Sequence, residues 1–182
     1  MNIKESLDVI KRHWNTAPVP VSDIADEIGT PILYAVLPDE ISGMIRRDGD
    51  GYMIVVNKYH ALTRKRFTIA HEIGHYIYHR DLLGAGTGDT RAYRAIGTDF
   101  PNPKITAQHE RQANTFAANL LMPNHLIKEL RASGIRSPDS LAAALQVSPQ
   151  AMRIKLGLDG RVPSDEAHDE GEAEWAPPTF RR

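Results

Sequence analysis

Residues 66–75 read Arg66-Phe67-Thr68-Ile69-Ala70-His71-Glu72-Ile73-Gly74-His75. Isoleucines at every fourth position of this region predict a helix over about residues 61–78 with a buried apolar face. Because residues four apart lie one above the other on a helix, His71 and His75 can both bind one zinc ion. Glu72 lies about 100° further round the helix, where it can take a proton from water at such an ion. The plain alternative is a surface helix with two histidines that bind no metal.

A zinc site of this kind needs a third protein ligand. His79 lies eight residues after His71, which is about 12 Å along an unbroken helix, so it cannot share the ion with the pair. We expect it instead to be a cation at the helix end or a residue of the cleft. Glu110, on the next long predicted helix, is a better candidate, and Asn114 on the same face can hydrogen-bond a ligand imidazole. His109 remains a rival ligand, and Glu110 could equally be a solvent-facing carboxylate.

Small residues predict a close approach between these two helices. Ala113 and Ala117 follow Glu110 on the second helix, and Gly74 lies on the first. Glycine inside a helix costs about 1 kcal/mol relative to alanine, and close contact with a neighbouring backbone is one reason to accept that cost. We therefore expect Gly74 to face the helix that carries Glu110.

Shorter elements before the histidine helix predict an α+β fold. An amphipathic helix and a short second helix open the chain, and three β-rich stretches then predict a small three-stranded sheet. The helices span about residues 3–14 and 22–28, and the strands span 32–37, 43–46 and 52–56. The sequence Asp48-Gly49-Asp50-Gly51 predicts a hairpin turn between the last two strands.

The second half of the chain predicts a long loop, four helices and a tail. The glycine-rich stretch 84–104 is typical of a loop that forms a lid. Thr106 caps the helix that carries Glu110, and Pro123 starts the next one, which ends near residue 134. Ser-Pro pairs start helices at about 138–145 and 149–156, in a helix-turn-helix-like arrangement. The acidic segment 161–182 predicts a disordered extension.

Composition excludes several kinds of function. The chain has 182 residues and a formal net charge of -1, so no overall positive field marks it as a non-specific nucleic-acid binder. It has no cysteine, which excludes disulfides, thiolate nucleophiles and cysteine-based zinc sites. Its apolar runs are too short to cross a membrane, and its first residues lack the apolar region of a signal peptide. We therefore expect a soluble, cytoplasmic protein without membrane contact.

Two motifs resemble the signatures of the ImmA/IrrE metallopeptidases. Residues 66–75 are similar to the pattern R-F-T-x-A-H-E-x-G-H, and residues 110–123 are similar to E-x-x-A-N-x-F-A-x-x-L-L-M-P. Both motifs match without a gap, and the resemblance covers roughly residues 5–160. It implies that His71, His75 and Glu110 are the zinc ligands and that Glu72 is the catalytic base.

The resemblance also implies a fold class and a domain organisation. We expect an α+β, zincin-like minimal metallopeptidase domain over residues 1–125, with a small three-stranded sheet and the active-site helices. A helical, helix-turn-helix-like subdomain follows over residues 126–160, and the acidic tail spans residues 161–182. With its downstream glutamate ligand, the site would be of the gluzincin type.

The function implied by the resemblance is that of a zinc-dependent endopeptidase. It would cleave or inactivate a separately encoded helix-turn-helix repressor and so relieve repression of stress, phage or mobile-element genes. One alternative is a zinc-binding antirepressor that acts by contact without cleavage. Another is a DNA-binding regulator that uses the C-terminal helices, whose polar positions are Gln150, Arg153 and Lys155. Because these offer few cations, we do not expect direct nucleic-acid binding.

Peptide hydrolysis in such a site also needs a group that stabilises the developing oxyanion. Tyr52, His79, Tyr93 and the arginines of the 84–104 loop are candidates. The sequence does not choose among them.

Overall fold

Helices and one small sheet make up the part of the protein that the structure describes, residues 1–83 and 104–159 of a computed structural model. In chain order the helices are α1 (Ile3–His13), α2 (Val21–Glu27), α3 (Leu62–Tyr78), α4 (Ala107–Leu121), α5 (Asn124–Ala132), α6 (Pro138–Leu145) and α7 (Pro149–Lys155). The strands β1 (Ile32–Ala35), β2 (Gly43–Asp48) and β3 (Gly51–Asn57) lie between α2 and α3. The predicted α+β class with a three-stranded sheet is confirmed.

The sheet has the order β1-β3-β2. Strand β2 pairs antiparallel with β3 through the predicted turn, in which Gly49 has a φ of 56°. Strand β1 pairs parallel with β3 and ends at Ala35, two residues before its predicted end, because its partner strand ends at Asn57. The antiparallel ladder instead continues to Asp48, so β2 is longer than its sequence pattern indicated.

Strand β2 packs unusually close to α3. A Cβ atom placed on Gly43 would lie 2.5 Å from Cγ2 of Thr68 on α3 and 2.5 Å from the backbone oxygen of Val55 on β3. Carbon atoms that are not bonded to each other normally lie about 3.5–4.0 Å apart, so only glycine fits at position 43. This contact fixes β2 directly above the first turns of the histidine helix.

Helix α3 is buried on both of its faces. Ile69, Ile73 and Ile77 are at most 2% exposed and belong to the main hydrophobic core, as the sequence pattern predicted. The opposite face is also buried, since His71 is 5% exposed and His75 is fully inaccessible. The histidine pair therefore lies inside the protein rather than on a surface helix.

Helix α4 covers this histidine face at short range. A Cβ atom on Gly74 would lie 3.0 Å from Cδ1 of Phe116 and 3.3 Å from Cα of Ala113, both on α4. Ala113 and Ala117 are fully buried. The predicted close approach of the two helices is thus confirmed.

A buried hydrogen bond connects α3 to the segment between the two N-terminal helices. Nη2 of Arg66 donates a hydrogen bond to the backbone oxygen of Val19 at 2.8 Å. Burial lowers the pKa of the Arg66 guanidinium from its ordinary value. Val9 and Ile10 of α1 belong to the same hydrophobic core. Helix α2 packs on the histidine helix and on β1, and α1 packs on α2.

The C-terminal helices begin where the sequence predicted. The hydroxyls of Ser137 and Ser148 each cap the helix that follows, with proline in its first turn. Leu141, Leu145 and Met152 are fully buried and belong to the same core cluster as the sheet and α3.

The proposed division at residues 125 and 160 stays a prediction, and the 84–103 loop and the 161–182 tail lie outside the described residues. Within the described residues, no helix is both long and apolar enough to cross a membrane.

Candidate metal centre

Three side chains from two helices converge where α3 faces α4. Nε2 of His71 and Nε2 of His75 lie 3.0 Å apart. The carboxylate oxygen Oε2 of Glu110 lies 3.3 Å from the first of these nitrogens and 3.7 Å from the second. Among the described residues, these three form the group of histidine and acidic side chains that could hold a metal ion.

The spacing of the three atoms suits a tetrahedral zinc ion. Two ligand atoms that each lie about 2.0–2.1 Å from such an ion are separated by about 3.3 Å. The observed separations of 3.0, 3.3 and 3.7 Å lie on either side of that value. Two imidazoles and one carboxylate are also a donor set that zinc prefers. The residues present therefore fit a zinc ion with one coordination position left for another group.

The site is closed on the histidine side and open on the glutamate side. His75 is fully buried and His71 is 5% exposed, whereas the side chain of Glu110 is 35% exposed. Glu72, which follows the first histidine, is only 2% exposed. Among the described residues, the glutamate side of the site is thus the more accessible one, and Glu72 is as buried as the two histidines.

The amide of Asn114 orients the ring of His71. Its oxygen Oδ1 lies 2.9 Å from Nδ1 of His71. Because an amide oxygen only accepts hydrogen bonds, Nδ1 must donate, which leaves Nε2 with its lone pair. That lone pair faces the other two candidate ligands, so Asn114 and Glu110, one turn apart on α4, act on the same imidazole.

His79 and Gln112 are contacts that the sequence analysis missed. His79 lies at the C-terminal cap of α3, as expected, and is 5% exposed. Its Nδ1 lies 2.8 Å from Nδ1 of His75, and its Nε2 lies 2.8 Å from Oε1 of Gln112. The i, i+4 spacing of His75 and His79 was visible in the sequence, but the position of Gln112 depends on how α4 packs.

His109, the rival third ligand, has another role in the structure. Its Nδ1 accepts a hydrogen bond from the backbone nitrogen of Thr106 at 3.2 Å, as part of the capping box of α4. Its ring packs against the ring of His79, with centroids 4.6 Å apart. Glu110 rather than His109 thus faces the histidine pair.

Two of the candidate oxyanion donors are engaged elsewhere. The hydroxyl of Tyr52 lies within 3.4 Å of the backbone oxygens of Arg80 and Leu83, beyond the end of α3. His79 uses both ring nitrogens within the contacts described above. Tyr93 and the arginines of the loop lie outside the described residues.

Two histidines four residues apart on one helix, together with a glutamate from a neighbouring helix, are typical of a metallopeptidase-type domain. Comparison with protein-family models agrees with this class: the Peptidase_M78 model, described as the IrrE N-terminal-like domain, matches residues 25–157. The chain belongs to this family, as the resemblance of its two motifs indicated. A search of curated proteins found no match.

Proposed function

We propose that this protein is a zinc-dependent endopeptidase with a zincin-like fold and a gluzincin-type site. The observation that carries the proposal is the triangle formed by Nε2 of His71, Nε2 of His75 and Oε2 of Glu110, whose edges measure 3.0–3.7 Å. These three side chains would hold one zinc ion per chain. Membership of a peptidase family supports hydrolysis of a peptide bond as the reaction.

The chain itself supplies the base, the orientation of the rings and the exclusion of water. When bound, zinc provides Lewis acidity, which makes water more acidic and polarises a carbonyl group. The carboxylate of Glu72 takes the proton of the attacking water and delivers it to the leaving amine as the peptide C–N bond breaks. Because Glu72 is only 2% exposed, bulk water does not compete for this carboxylate.

We infer that the substrate is a separately encoded helix-turn-helix repressor in the cytoplasm. Its cleavage or inactivation relieves repression of stress, phage or mobile-element genes. The support is the resemblance of the two motifs to the ImmA/IrrE metallopeptidases and the match to the IrrE N-terminal-like family model. Nothing in this assignment requires the chain to touch DNA.

Direct DNA binding through the C-terminal helices is a weaker candidate function. On α7, Nη2 of Arg153 pairs with Oδ1 of Asp139 at 2.8 Å. Nζ of Lys155 donates to Oδ1 of Asn119 at 2.8 Å, and burial lowers the pKa of this lysine. Lys155 is thus buried and engaged within the protein, and Arg153, although 44% exposed, is already paired with a carboxylate, so α7 offers few cations for phosphate contacts. Sequence-selective retention of DNA by the protein alone, in a gel shift at physiological salt, would favour the DNA function.

A contact-only antirepressor is distinguished from a peptidase by substitution of the base. The zinc-loaded protein is incubated with the helix-turn-helix protein encoded beside its gene, and fragments are detected by mass spectrometry. We expect cleavage by the native protein and none by Glu72→Gln, which should still bind one zinc ion because Glu72 is not a proposed ligand. Glu110→Ala should lose both zinc and cleavage, whereas Glu129→Ala, an exposed carboxylate on α5, should keep both. Equal release of the repressor from its DNA by the native protein and Glu72→Gln, without fragments, contradicts the peptidase assignment.

A further inference from the structure

A chain of hydrogen bonds leads from α4 through His79 to the back of a candidate zinc ligand. Oε1 of Gln112 lies 2.8 Å from Nε2 of His79, and Nδ1 of His79 lies 2.8 Å from Nδ1 of His75. His75 is fully buried and His79 is 5% exposed. The front nitrogen of His75, Nε2, is the one that faces His71 and Glu110.

The amide oxygen of Gln112 determines which atom donates and which accepts in each of these two hydrogen bonds. Oε1 of Gln112 can only accept, so Nε2 of His79 carries a proton. Nδ1 of a neutral His79 then has a lone pair and accepts from Nδ1 of His75. A neutral His75 with its proton on Nδ1 has its lone pair on Nε2, which is the form that can bind a metal ion.

The opposite arrangement disables the site. If the donor group of the Gln112 amide faced His79, the protons would reverse along the chain. His75 would then carry its proton on Nε2, where it would block coordination. The orientation of one amide on α4 therefore decides which tautomer of a buried imidazole on α3 is present.

We propose that Gln112 and His79 are positioning residues that hold His75 in its metal-binding tautomer. The proposal rests on the proposed zinc site, because it assigns the function of a contact behind one of its ligands. Each proposed histidine ligand then has a partner that orients its ring. Asn114 orients the ring of His71, and the Gln112–His79 pair orients the ring of His75. Hydrogen bonds of this kind, behind a ligand, commonly change metal affinity by about 10–100-fold when they are removed.

The tautomers can be measured in the metal-free protein. Long-range ¹H–¹⁵N spectra distinguish protonated from unprotonated ring nitrogens. We expect His75 protonated on Nδ1 and His79 protonated on Nε2 in the native protein, with both preferences weakened in Gln112→Met. Because Nε2 of His71 and Nε2 of His75 lie 3.0 Å apart, one of them donates to the other in the metal-free protein, and only the nitrogens behind them are diagnostic. A native His75 whose Nδ1 is unprotonated, or unchanged protonation of His75 Nδ1 and His79 Nε2 in Gln112→Met, refutes the proposal whether or not zinc binds.

Zinc affinity tests the consequence with matched variants. Chelator competition should show Gln112→Met and His79→Phe to bind zinc about 10–100-fold more weakly than the native protein. Gln112→Glu should instead bind zinc at least as tightly as the native protein, because a carboxylate can only accept a hydrogen bond from His79. Gln108→Glu places the same charge at an exposed position of the same helix and should leave affinity within about 3-fold of native, since exposed charges are well screened.

The outcomes separate this proposal from the proposed function. If the native protein binds no zinc, the proposed function fails, while the tautomer spectra still decide the role of Gln112. If the native protein binds zinc and Gln112→Met binds it equally tightly with an unchanged thermal unfolding curve, the positioning role is wrong. The positioning role is also refuted if Gln112→Glu and Gln108→Glu increase zinc affinity over the native protein by the same factor, because the added negative charge alone would then explain the increase.

Discussion

At the scale of single residues, the candidate metal centre is defined by hydrogen-bond partners as much as by candidate ligands. Buried polar atoms are generally hydrogen-bonded, because an unpaired one loses its hydration without compensation. In this protein those partners also select ring tautomers: Asn114 acts on His71, and His79 with Gln112 acts on His75. A side chain that accepts a hydrogen bond from Nδ1 of a buried histidine therefore also leaves Nε2 of the same ring available to bind metal.

Tyr78, at the end of α3, provides a residue-scale prediction of pH dependence. Burial raises the pKa of its hydroxyl above the ordinary value of about 10. The unfolded chain then loses this proton at lower pH than the folded protein, so the contribution to stability is present below pH 10 and is lost as pH rises above it. Between pH 9 and pH 11 both proteins are expected to lose unfolding free energy. The loss should be about 1 kcal/mol larger for the native protein than for Tyr78→Phe.

Urea unfolding at the two pH values measures this difference. Tyr59, which is 68% exposed, provides the control: Tyr59→Phe should lose as much stability as the native protein. The same loss in Tyr78→Phe would show that the hydroxyl of Tyr78 ionises normally in the folded protein.

At the scale of elements, α3 is the centre of the molecule, because the sheet packs on one of its faces and α4 packs on the other. Gly43 and Gly74 permit these two close approaches, to β2 and α4 respectively. The distances within the metal site depend on the second approach, since Glu110, Gln112 and Asn114 all lie on α4. Small residues at the crossing of α3 and α4 thus help to determine where the candidate ligands meet.

Gly43 provides the prediction at this scale. In Gly43→Ala the new methyl group would lie 2.5 Å from a side-chain carbon of α3 and 2.5 Å from a backbone oxygen of β3. We expect urea unfolding to show a loss of about 1–3 kcal/mol, which is typical of overpacking. Gly51→Ala is the matched control at the other end of the same hairpin, because its methyl group would lie 3.6 Å from the nearest backbone oxygen. Equal stability of the two variants would contradict the close packing of β2 on α3.

Local signals made most of these elements predictable from the sequence. The isoleucine repeat of α3, the Thr106 cap of α4 and the Ser-Pro starts of α6 and α7 each act within a few residues, and each was found where predicted. The end of β1 was missed because it depends on where a non-neighbouring strand stops.

The metal site was predictable in part for the same reason. The i, i+4 spacing brings His71 and His75 together within one helix, and the structure groups them with Glu110. Burial of the histidine face, the contact of His79 with Gln112 and the capping role of His109 all require the position of α4 relative to α3. That position is a tertiary property, and no pattern within either helix specifies it.

At the scale of the whole molecule, one hydrophobic core connects the sheet, the metal centre and the C-terminal helices. The family match begins at residue 25, yet Val9 and Ile10 of α1 are at most 3% exposed and pack in that core. Helix α1 is thus an integral part of this fold. A zinc ion held by α3 and α4 would add a link between two segments that are distant in the chain, and so couple metal binding to the stability of the whole fold.

The position of the metal ion is the measurement that tests this account most directly. Crystals of the zinc-loaded protein are examined by anomalous diffraction at the zinc edge. We expect one strong peak per chain, about 2.0–2.1 Å from Nε2 of His71, Nε2 of His75 and a carboxylate oxygen of Glu110. A saturated protein with its zinc peak elsewhere, or with Glu110 turned away from the ion, would contradict the assignment of the metal centre.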